Sequence, residues 1–162
     1  MSIKSQLSAD QWKLLLNAPG AASVYVSTAS GGGFEMIKEV ISAGKFAQEL
    51  GEKTGGSGYG ELVDELLAAI KTMTSKDATA ESIKYTANDP AGIRAEAKQF
   101  VVDGVAAVAG MPGVEGYKKW ILDLARAVAE TKTGGFLGIG AKAVIDEKEQ
   151  AALDELAAVL GL

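Results

Sequence analysis

The sequence predicts an all-α fold: one domain over residues 1–162, built as a compact bundle of about seven helices with glycine-rich connections. Three observations predict it. Apolar residues recur at helical spacing in segment after segment. Capping signals stand ahead of several of these segments. No run of alternating apolar and polar residues offers a pair of strands. The β-branched stretch Ser23-Val-Tyr-Val-Ser-Thr28 has no partner to pair with and is read as helix.

Ser8-Ala-Asp-Gln11 has the form of a capping box, so a helix is expected from Ala9, with Trp12, Leu15 and Leu16 on one face. Pro19 and Gly20 are expected to kink or break it. Asn17, Pro19 and Gly20 also interrupt the apolar patch that a signal peptide would keep whole, so this stretch reads as a buried helix. Phe34 to Leu50 carries a second stripe, closed by Gly51. Residues 52–60 are glycine-rich and read as a flexible connection.

Leu62, Val63, Leu66, Leu67, Ile70 and Met73 mark a third helix, and Thr79 to Tyr85 a short fourth. Asp89-Pro90 combines an N-cap carboxylate with proline at the first helical position. The stripe from Ile93 to Val108 follows, with Gly104 inside it, where a neighbouring helix would approach closely. Gly110-Met-Pro-Gly113 ends that helix, and Tyr117, Trp120, Ile121, Leu124 and Val128 form the next. The last helix starts at Asp146, with Glu149 at the third position and Ala152, Leu153, Leu156 and Leu160 facing inward.

Composition closes several function classes. With 16 Lys and Arg against 21 Asp and Glu, the net charge is -5. That balance opposes a nucleic-acid binder and electrostatic docking on anionic lipid. There is no His and no Cys. Ser-His-Asp, Cys-His and thiolate chemistry are therefore closed to the chain, as are the usual zinc ligands. Absent cysteine fits a cytoplasmic protein, and no apolar run is long enough to span a bilayer. The phosphate-loop spacing Gly51 to Gly56 carries Ser57 where lysine is needed.

Two constellations remain. Glu130 ends one helix and Asp146 and Glu149 open the next, so a hairpin would bring the three together. An all-oxygen site of that kind takes calcium or magnesium, and no other cofactor is expected. Alternatively, the two residues at the helix start simply cap free N–H groups. Phe136, Leu137 and Ile139 lie on the glycine loop Thr133 to Gly140. Three large apolar side chains there either fold back on the core, form a protein contact or insert shallowly into a membrane.

The segment Leu124 to Glu130, a loop, Ile145-Asp146-Glu147-Lys148-Glu149 and then Ala152 to Leu160 resembles a helical hairpin of the tellurite-resistance TerB-like family. Those hairpins carry Ala-Asp-Gly, a turn and Ile-Asp-x-x-Glu between two apolar helices. Here Ala129-Glu130-Thr131 stands at the first element. The resemblance implies a helical protein with a cation site at these carboxylates. The primary expectation is a non-enzymatic protein that works by binding, through a helical surface or the loop tip. Catalysis by Glu or Asp would need two carboxylates converging in a pocket, and no such pair is legible in the sequence.

Overall fold

The computed structural model describes residues 2–30, 58–130 and 145–162. The fold is all-α, with seven α-helices and no strand among the described residues. They are α1 (Ile3–Gln6), α2 (Ala9–Ser27), α3 (Glu61–Thr72), α4 (Ser75–Ala80), α5 (Pro90–Ala107), α6 (Val114–Ala129) and α7 (Glu147–Leu160). A 3₁₀ turn, Thr28–Ser30, continues α2. The expected helix from Phe34 to Leu50 and residues 52–57 of its glycine-rich sequel lie outside the described residues, as do Phe136, Leu137 and Ile139.

α2 is the centre of the bundle. It packs most extensively on α5 and then on α6, and it also touches α7. Its second half is buried on every side: Ala21, Ala22, Val24, Tyr25 and Val26 are all within 2% of full burial. A helix apolar all round belongs in a core. The same apolar core takes in Leu62, Leu66 and Ile70 of α3, which packs on α6, with Tyr117, Trp120 and Ile121 of α6 and Leu153, Leu156 and Leu160 of α7. No helix among the described residues is long and apolar enough to cross a membrane.

The local signals account for most helix starts. Ser8 and Gln11 form the expected capping box, and Asp146 and Glu149 form another. Asp89 caps α5 ahead of Pro90. Gly104 faces α2 at the crossing. A Cβ there would lie 2.6 Å from the Cβ of Ala18 and 3.0 Å from the Leu14 carbonyl oxygen, so glycine is what lets the two helices approach.

Two expectations are revised. Of the kink or break expected at Pro19, the break does not occur: α2 runs on to Ser27. Proline has no N–H, so the Leu15 carbonyl one turn earlier loses its helical donor. The buried Tyr117 hydroxyl takes that place, donating to Leu15 O at 2.7 Å. The fourth helix covers Ser75–Ala80 rather than Thr79 to Tyr85, because Thr74 and Asp77 form a capping box of their own. The chain then leaves helical geometry. Glu96 of α5 accepts the N–H groups of Thr86 and Ala87, each at 2.8 Å, and holds this stretch down. An extended approach also suits Asp89, since α-conformation is disfavoured before proline.

Candidate functional site

Where the C-terminal end of α2 meets the first half of α5 and the start of α7, the surface opens into a cleft of about 660 Å³. Helical spacing explains its lining. Ala91, Arg94, Ala95 and Lys98 share one face of α5, and Lys148, Ala151 and Glu155 share one face of α7. Tyr25, Thr28 and Ala29 close it from the end of α2. Alanines on both helices keep the cleft open, because a longer side chain at those positions would fill it.

The charged residues are tied into one network. Glu155 receives Lys98 Nζ at 2.5 Å and also accepts from the Tyr25 hydroxyl. Arg94 lies over the Tyr25 ring, 4.2 Å from the guanidinium carbon to the ring centroid. Its Nε donates to the Tyr25 carbonyl at 3.4 Å, and one terminal nitrogen stands 3.6 Å from Glu155 Oε2. Lys148 has no ion-pair partner among the described residues. Among the described residues, three cations therefore face one carboxylate in a protein whose net charge is -5.

The network fixes protonation. The hydrogen bond from Lys98, then that from Tyr25, holds the Glu155 carboxyl below its usual range. Burial, reinforced by the hydrogen bond to Glu155, pushes the Tyr25 phenol up to about 12. Near neutral pH the first stays ionised and the second stays protonated. Neither is poised to exchange a proton there, as a general acid or base must.

The carboxylates singled out from the sequence lie elsewhere. Glu130 is the C-cap of α6 and half-buried. Asp146 accepts the Glu149 N–H at 2.8 Å, and Glu149 accepts the Asp146 N–H at 3.2 Å. Both are engaged in capping α7. Among the described residues no three acidic side chains are grouped so that they could hold a metal ion. Of the sequence-derived loop residues Phe136, Leu137 and Ile139, none falls within the described chain.

Sequence reasoning did not single out Tyr25, Arg94, Lys98, Lys148 or Glu155. A signal existed within each helix. Ala91, Arg94, Ala95 and Lys98 alternate small and cationic side chains at helical spacing, a pattern that neither a core face nor an ordinary solvated face requires. The chain matches no family model, and comparison with curated proteins and with solved structures finds no match.

Proposed function

We propose that this chain is a non-enzymatic binding protein whose ligand seats in the cleft between α2, α5 and α7. One observation carries the reading. Among the described residues the cleft gathers an under-used guanidinium, two lysines and a floor of small side chains, and neither Tyr25 nor Glu155 is poised to transfer a proton near neutral pH. Its volume lies within the range of small-molecule pockets, about 300–1,000 Å³. The Arg94 guanidinium has five N–H donors, and among the described residues its two polar contacts are long, at 3.4 and 3.6 Å. A rigid cation with unspent donors is suited to recognition.

Among the described residues the apolar surface offers little competition. Among the described residues, Val102 and Leu162 are the exposed large hydrophobic side chains, at 40% and 44%. They lie on α5 and at the C-terminus, too isolated to form the kind of patch that marks a protein interface.

The test is chemical-shift mapping on nitrogen-15-labelled protein with a mixture of small fragments. Binding in the cleft moves the amide signals of Thr28, Ala95 and Ala151 together, and Ala95→Trp abolishes the movement by filling the space. Ala95 is exposed on α5, so this substitution leaves the core intact. Shifts that cluster elsewhere, or that survive Ala95→Trp, would remove the cleft as the site.

A further inference from the structure

We infer that the ligand of this cleft is a small amphiphilic oxyanion, a carboxylate or phosphate monoester carrying a short apolar chain. The inference rests on the cleft being the binding site and goes on to name the ligand's chemistry. Two halves of the lining point to it.

The first half is cationic. Arg94, Lys98 and Lys148 converge from two helices, and Arg94 is fixed by the Tyr25 ring beneath it. A guanidinium seated over an aromatic face keeps donors available for a planar or tetrahedral oxyanion, and it gives up little entropy on binding. An oxyanion already occupies part of this set. The Glu155 carboxylate bridges Lys98, Arg94 and the Tyr25 hydroxyl. It marks where a ligand's head group would sit. Because its side chain is 44% exposed, it can swing aside without opening the core. Glu155 is thus an internal competitor, and Lys148 adds a cation that Glu155 leaves unpaired among the described residues.

The second half is apolar. Ala29, Pro90, Ala91, Ala95 and Ala151 line the cleft beside the cations. They present methyl and methylene groups and no side-chain donor or acceptor. A bare inorganic anion would leave this surface wet, and a neutral lipid would leave Lys148 and the unspent Arg94 donors unsatisfied. A chain bearing an oxyanion head satisfies both.

Calorimetric titration of the full chain decides the matter, using four probes below their micelle concentrations. Octanoate and octyl phosphate carry both features, octanol carries only the chain, and inorganic phosphate carries only the charge. Both octyl anions are expected to saturate at one per chain, with octanol and inorganic phosphate at least about tenfold weaker. Arg94→Gln should weaken the octyl anions about tenfold, and Lys148→Gln about threefold, as suits an exposed charge. Lys148→Gln touches no ion pair among the described residues, so it keeps the test valid if Arg94→Gln folds poorly. Glu155→Gln should tighten both anions by removing the competitor.

Octanol binding as tightly as octanoate overturns the inference, and so does inorganic phosphate binding as tightly as octyl phosphate. If neither octyl anion binds while fragments still shift Ala95 and Ala151, this inference fails and the cleft stands as the site. If no fragment shifts them either, both fall.

Discussion

At the scale of single residues, the Leu15 carbonyl shows how a local rule is overridden. Pro19 removes the N–H that would serve it, and a buried carbonyl without a donor costs about 1–3 kcal/mol. Tyr117, 102 positions later in the chain, supplies the hydrogen bond from a side chain that is wholly buried. Tyr117→Phe is therefore expected to destabilise the protein by about 1–3 kcal/mol in urea denaturation. Pro19→Ala returns a backbone N–H that can serve Leu15 itself, so in that background Tyr117→Phe should cost about 1 kcal/mol less. If the two changes add to within about 0.5 kcal/mol, the hydroxyl is not what compensates the proline. The case also marks a limit of the sequence. A break at Pro19 is what a proline predicts from its own neighbourhood, and nothing near it in the chain points to Tyr117. Gly104 is the opposite case. A glycine inside a helical stripe is locally unfavourable, and that cost was enough to suggest the close approach that the structure shows against Ala18.

At the scale of elements, what was legible is what is encoded within three or four residues. The starts of α2, α5 and α7 follow from Ser8, Asp89 and Asp146, because a cap and its partner lie in one turn. α4 was misplaced because a second box, Thr74 with Asp77, acts a few residues earlier, and because Glu96 holds the following stretch from another helix. The α7 box makes a testable distinction. Asp146→Ala should lower stability by about 1 kcal/mol, whereas Asp146→Ser, which can still accept from the Glu149 N–H, should retain most of it. The same pair of variants decides the cation reading carried by the resemblance. Capping alone predicts no rise in melting temperature with calcium or magnesium. A saturable rise in the native chain, lost in Asp146→Ser although that variant keeps its cap, would give Asp146 a ligand's role as well.

At the scale of the whole molecule, the all-α class was readable because helical periodicity repeats along the chain, but the cleft was not. Its lining comes from residues 25–29, 90–98 and 148–155, and each segment alone shows only a face of mixed small and charged side chains. Their convergence is a property of how α5 and α7 pack on α2. The folded chain also raises the pKa of all four tyrosines. Burial raises Tyr25 to about 12, and the hydrogen bond to Asp123, with some burial, raises Tyr59 to about 12. Burial also pushes Tyr85 and Tyr117 well above the ordinary phenol range. All four shifts run in one direction, so their effects on stability accumulate. A phenol whose pKa is raised on folding contributes stability that is fully present below its unfolded value, near 10, and is lost as pH rises through the folded value. The native protein should therefore show almost no phenolate absorbance at a pH of about 10, where free tyrosine is half ionised. Above that, stability should fall continuously with pH, and the tyrosines should ionise together with the loss of helical circular dichroism. A gradual phenolate signal near pH 10, with helicity intact, would mean that the rings are open to solvent and that the bundle is looser around α2 and α6 than their packing implies.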